Sequence, residues 1–316
     1  MNTMTVDDIL RRHERSLMGT LKACNLPSDA LGLEKAYYVY EPPGLNRQEG
    51  VPLLFLFRGH EREWVNIHED TSRHLSTAIE DLDTLIHWGE VPPLIAVMPG
   101  LSSNNNHVPA LGVDMGGIWS PHLQGLGHGR YWQYLTGELF PAVEAAYPQA
   151  DGGLRLTAGF SLGGYTVSLL ALHHPGYFQH AACYDALFMW RGHQDPRPYE
   201  DGTHTDRVWW RNPLFTPAFG WPRDTGAMQL WNPTDTLAEA DDHLLDQVRR
   251  TTFWIAGADA DGNRGNRDRC AYLADMLSAR GVPLGYEEIV FAPHAAHNWH
   301  WNDLFLARFL RNVFRP

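Results

Sequence analysis

Apolar residues in this chain come in short runs set between stretches of helical spacing, from residue 53 to a final helical pattern over residues 303–314. Runs at residues 52–57, 94–98, 251–256 and 286–291 are the length of strands, and Leu154, Leu156 and Ala158 alternate with Arg155 and Thr157. Strand-like runs that alternate with helical ones predict a mostly parallel sheet covered by helices on both faces. Ahead of them, residues 6–21 mix charge with Ile9, Leu10, Leu17 and Met18. That pattern predicts an amphipathic helix, packed on the body or used between the subunits of a homo-oligomer. The expected division is a helical extension over residues 1–33 and one α/β domain over residues 34–316. Residues 188–231 are dense in Trp, Pro and charge without long periodicity, so an irregular aromatic cap is expected over about residues 188–248.

The alternating run at residues 154–158 leads into Gly159-Phe160-Ser161-Leu162-Gly163, and residues 164–173 follow with Val167, Leu170 and Ala171 at helical spacing before Pro175. A strand that turns sharply into a helix has no room for side chains beside the turn, so the glycines suit a strained elbow that exposes Ser161. Its hydroxyl would lie at a helix N-terminus, where the Leu162 N–H is the first donor for a developing oxyanion.

A serine needs a base held in one tautomer by an acceptor. The run at residues 251–256 ends in Gly257-Ala258-Asp259-Ala260-Asp261-Gly262, and the run at residues 286–291 leads to His294, His297 and His300. The expected acid is Asp261, with Asp259 the alternative, and the expected base is His297. Serine, acid, histidine is the chain order of the α/β-hydrolase triad. Histidines three residues apart fan around a helix instead of converging, so no metal or other cofactor is expected.

With these pieces the sequence resembles the putative esterase family of α/β hydrolases, which includes S-formylglutathione hydrolases, feruloyl esterases and mycolyltransferases. The resemblance runs from about Lys35 to the C-terminus. Its other matching pieces are Tyr38-Val39-Tyr40-Glu41-Pro42-Pro43-Gly44, Arg58-Gly59-His60 after the first apolar run, Trp88-Gly89-Glu90-Val91-Pro92-Pro93, and His297-Asn298-Trp299. It implies the α/β-hydrolase fold and serine carboxylesterase chemistry through an acyl-enzyme on Ser161. The same triad would serve an acyltransferase, and the fold could also persist in a silent binding protein. Where the family usually reads His-Gly after the third strand, this chain has Arg58-Gly59. The second oxyanion donor is main chain in any case, which leaves the Gly59 or His60 N–H to supply it.

A formal net charge of -12 excludes a phosphate-backbone partner, because such affinity needs clustered Lys and Arg. Arg249-Arg250 and the basic residues at 264–269 are local groups, the second interrupted by Asp268 and preceded by Asp259 and Asp261. His107, His122 and His128 read as solvated loop groups. Three widely spaced cysteines point to a thiol-tolerant compartment, and no apolar run suits a leader or a bilayer span. A cytoplasmic enzyme acting on a small-molecule ester, away from membranes, is the expectation.

Overall fold

The computed structural model describes residues 4–117, 124–259 and 265–315. Among the described residues the expected sheet is present with seven strands: β1 (Thr20–Ser28), β2 (Leu33–Glu41), β3 (Leu53–Phe57), β4 (Ile95–Pro99), β5 (Arg155–Phe160), β6 (His180–Tyr184) and β7 (Thr252–Ala256). Their spatial order is β1-β2-β4-β3-β5-β6-β7. β1 and β2 are antiparallel, β2 is antiparallel to β4, and every pairing from β4 to β7 is parallel. This strand order, with helices on both faces, is the α/β-hydrolase architecture expected from the sequence.

Strand residues alternate between two separate cores, as a period of two requires. Leu53, Phe55 and Phe57 join Val167, Leu170, Phe140 and Leu273 on one face, beneath the helices Leu162–His173, Phe140–Ala146 and Asn266–Ala279. Leu54 and Leu56 join Ile79, Leu82, Phe305 and Phe309 on the other, beneath Ala78–His87 and Trp299–Val313. Because both faces are covered, the central strands are apolar throughout, which explains the near-continuous runs in the sequence.

Three elements differ from expectation. The N-terminal segment holds a helix only over Val6–Ser16, closed by a capping box between Thr5 and Asp8, and then supplies the edge strand β1. The helix buries Ile9 and His13, and Arg12 pairs with Glu80 at 3.0 Å on the helix Ala78–His87. Residues 286–291 make no continuous strand: isolated parallel bridges join Phe253 to Leu284 and Gly257 to Val290. Between them Gly285 passes so close to Trp254 that a Cβ would lie 2.2 Å from its ring, and Glu287 and Glu288 are exposed. The third difference is a strand that periodicity did not reveal, β6.

The cap is a set of short helices more than an irregular loop. Asp206, Asn212, Asp224, Asn232 and Asp241 each accept a backbone N–H as a helix N-cap, with Pro213 and Pro233 in the first turns of theirs. Trp209, Phe215 and Phe219 are buried in a third apolar cluster with Leu162, Tyr165 and Leu169 of the helix after β5. Most cap aromatics therefore hold the cap to the body, whereas Trp221 is exposed. A fully buried ion pair reinforces this: Arg269 donates to both oxygens of Asp206 at 2.6 and 2.9 Å and to the Phe188 carbonyl at 2.8 Å. Among the described residues, no helix is long and apolar enough to cross a membrane.

Candidate active site

Ser161 ends β5 and begins the helix Leu162–His173 with φ 55° and ψ -114°, a backbone region that L-residues adopt only under constraint. The constraint is visible on every side. The Ser161 N–H donates to the Tyr184 carbonyl at 3.0 Å, and its own carbonyl accepts from Gly164 and Leu187 at 3.1 and 3.3 Å. A Cβ on Gly163 would lie 1.8 Å from the Phe57 carbonyl oxygen, and one on Gly159 would lie 2.3 Å from the backbone of Gly163. The turn can thus be built only with glycine at both positions. As the first residue of the helix, Leu162 has no intrahelical acceptor for its N–H.

His297 lies on the loop before the C-terminal helix Trp299–Val313, and its ring packs 4.7 Å from that of Phe160, the residue preceding Ser161. Trp299 packs on the same ring at 5.2 Å. Two anchors set the loop. Tyr184 Oη donates to the Ala296 carbonyl at 2.9 Å, and Trp299 N–H donates to Asp70 at 3.0 Å. The helix behind the loop is held by Arg73, which donates to both oxygens of buried Asp303 at 2.7 and 2.9 Å and stacks on Trp299 at 4.2 Å. Burial raises the Asp303 carboxyl above its usual range in spite of that guanidinium.

The carboxylate against His297 comes from the end of β6. Asp185, with a fully buried side chain, accepts from His297 Nδ1 at 2.6 Å through Oδ2 and from the Ala258 N–H at 2.9 Å through Oδ1. A carboxylate only accepts, so this bond puts the proton on Nδ1 and leaves Nε2 as the imidazole's basic atom. The chain turns at Asp185 with φ 42°, while its N–H donates to the Ala256 carbonyl on β7 at 2.7 Å. Asn266 closes the turn by donating to the Asp185 carbonyl at 2.8 Å.

Of the two acids expected from the sequence, Asp261 lies outside the described residues, as does His122. Asp259 follows β7, with a side chain 40% exposed; its Oδ2 accepts from the His294 N–H at 3.1 Å, and its Oδ1 lies 3.8 Å from Arg267. Its main chain also meets the histidine loop, donating N–H to the Ala295 carbonyl at 2.8 Å. The structure therefore brings Asp185, not Asp259, to the imidazole. The missed clue was Tyr184-Asp185 at the end of the five-residue run His180–Tyr184, whose alanines and flanking histidine gave it no clear strand pattern.

The loop after β3 also differs from expectation. Gly59 and His60 both donate their N–H groups to Glu63 Oε2, at 2.7 and 2.6 Å, so neither is free as an oxyanion donor in this conformation. His60 is buried and its Nδ1 lies 2.9 Å from Glu61, away from solvent. Arg58 stands beside them, its guanidinium 5.2 Å from the centre of the Phe160 ring and its Nε 3.8 Å from Glu63 Oε1. Among the described residues, no three metal-ligating side chains converge.

The fold has solved relatives. A ferulic acid esterase aligns over 95% of this chain and 98% of its own with a TM-score of 0.67 at 20% identity. An S-formylglutathione hydrolase from Agrobacterium tumefaciens covers 93% and 95% with a TM-score of 0.61 at 17% identity. A fluorophosphonate-binding serine hydrolase of Staphylococcus aureus covers 92% and 97% with a TM-score of 0.59 at 18% identity. At these identities the likeness is one of fold. No curated protein matches the sequence. The family model described as "Putative esterase" matches residues 28–312. With nearly the whole chain inside that match, this protein belongs to the putative esterase family of α/β hydrolases.

Proposed function

We propose that the protein is a serine carboxylesterase whose catalytic triad is Ser161, His297 and Asp185. The single observation that carries this reading is the 2.6 Å bond from His297 Nδ1 to a wholly buried carboxylate, made while the same imidazole packs on the residue next to a strained elbow serine. His297 Nε2 takes the Ser161 proton, and Oγ attacks the ester carbonyl. The tetrahedral oxyanion is met by the Leu162 N–H. His297 then protonates the departing alcohol, and water activated by the same imidazole releases the acid from the acyl-enzyme. Asp185 fixes the ring and stabilises its charged form. Glu63 competes with the oxyanion for the loop N–H groups, so Gly59 and His60 join as donors only when that carboxylate withdraws.

The test is covalent labelling by a fluorophosphonate together with turnover of short 4-nitrophenyl esters. The intact protein is expected to label at Ser161 and to turn over, and Ser161→Ala to lose both while keeping its thermal transition. A variant that still hydrolyses these esters at the original rate would remove Ser161 from the mechanism. A properly folded wild-type chain that neither labels nor turns over would make this a silent member of the family.

A further inference from the structure

Arg58 occupies a position that the proposed chemistry does not use. Its side chain is only 21% exposed, yet Nε is buried without a hydrogen-bond partner among the described residues. Its near anion, Glu63, is 3.8 Å away through Oε1, beyond hydrogen-bond reach, and Oε2 of that carboxylate is already committed to two backbone N–H groups. The guanidinium is instead held against the Phe160 ring. That ring also carries the His297 imidazole and leads directly into Ser161. A cation is therefore positioned, partly desolvated and not saturated by its own protein, one aromatic ring from the proposed reacting atoms.

Leaving a guanidinium so placed is costly unless something pairs with it. Its planar fork of N–H donors fits a carboxylate in a bidentate pair, which a lysine or histidine could not reproduce. The other groups around Phe160 do not supply that anionic partner. Trp299 is apolar at that face, and the Asp185 carboxylate is enclosed by His297 and the Ala258 N–H.

We propose that Arg58 is a specificity-determining residue that binds a carboxylate carried by the substrate, making the preferred substrates anionic esters. The proposal rests on the serine esterase reading and names its substrate class. A charge-assisted pair of this kind is worth roughly a 10- to 100-fold preference. It acts on ground state and transition state alike, so it shows mainly in KM.

The experiment compares mono(4-nitrophenyl) succinate with the neutral 4-nitrophenyl butyrate, and 4-acetoxybenzoate with its neutral methyl ester. Between them these pairs place the carboxylate on the acyl side and on the leaving group. Wild-type protein is expected to prefer the charged member of at least one pair. Arg58→Gln is expected to reduce that ratio of kcat/KM by about 10- to 100-fold through KM, and Arg58→Lys to restore part of it. A wild-type ratio that favours neither charged probe, or one that Arg58→Gln leaves unchanged, overturns the proposal. Fluorophosphonate labelling of Ser161 separates the two readings. A labelled, active enzyme indifferent to charge defeats only the role of Arg58, whereas an unlabelled, inactive one defeats the esterase reading itself. Should Arg58→Gln fail to label, the Arg58→Lys ratio decides alone: retention of the preference with a raised KM upholds the pair, and an unaltered KM for the charged ester overturns it.

Discussion

β6 and β7 are neighbouring parallel strands that both end in an acid near the same histidine loop, yet they treat it differently. Asp185 turns inward at the end of β6, fully buried, with one oxygen on His297 and the other on Ala258. Asp259, three residues past the end of β7, stays partly in solvent near Arg267 and bonds the backbone of His294. An exposed carboxylate has water as an alternative partner and little grip on an imidazole. A buried one with both oxygens occupied has one geometry available and transmits it to the ring. On our reading the two acids have different tasks: Asp185 sets the tautomer of His297, and Asp259 braces the loop that carries it.

The sharpest way to break this comparison is to neutralise each acid in turn. Asp185→Asn is expected to lower kcat by up to about 10⁴-fold, as in triads where the amide stabilises the wrong tautomer. Asp259→Asn is expected to change kcat less than about threefold, since it alters an exposed contact only. Initial rates on 4-nitrophenyl acetate measure both, and a larger loss at Asp259 would reverse the assignment.

A smaller effect tests how each strand end holds the loop. β6 uses a side chain, Tyr184, to reach the Ala296 carbonyl, whereas β7 uses the Asp259 N–H on Ala295, which no substitution short of proline removes. Tyr184→Phe should therefore cost about 0.5–1.5 kcal/mol of stability by denaturant titration, because the part-buried Ala296 carbonyl keeps the Asn298 N–H at 2.9 Å. A modest fall in kcat should accompany it as the imidazole loosens. Unchanged stability would mean that the main-chain bond suffices.

A third effect concerns pH, and it separates loss of fold from loss of chemistry. His173, at the end of the elbow helix, shares a hydrogen bond of 3.0 Å with Thr236 of the cap, and burial pushes its pKa down to about 4. The unfolded chain binds that proton near pH 6.5 and the folded chain only near 4, so stability falls as pH drops across this window. His173→Gln should flatten the acid limb of stability there, leaving any remaining acid loss of activity to the site itself. Thermal transitions measured from pH 7 to 4 on both proteins check it; identical slopes would contradict the account.

The strands with strong apolar character, β3, β4, β5 and β7, and the glycines of the elbow were legible in the sequence, because burial on both faces and steric exclusion at Gly163 leave direct marks on composition. The partner acid was not. β6 is five residues long, begins with His180 and is built of Ala181, Ala182 and Cys183, small residues that favour strand only once neighbours on both sides supply the packing. Without a visible strand the acid that follows β6 has no marker, whereas the apolar run of β7 points to the acids beyond it. The cap was readable in part: Asn212-Pro213 and Asn232-Pro233 are helix-start signals, but the helices they open are too short for periodicity to show. The occupation of the Gly59 and His60 N–H groups by Glu63 is a side-chain choice within one loop turn, with no counterpart in any repeat of the sequence.

The pairing of His297 with Asp185 is read from the low-field proton resonance of the His297 Nδ1–H in the intact protein, assigned by its loss in His297→Ala. It is expected to persist in Asp259→Asn and to disappear or move strongly upfield in Asp185→Asn. A resonance unaffected by Asp185→Asn and abolished by Asp259→Asn would contradict that pairing.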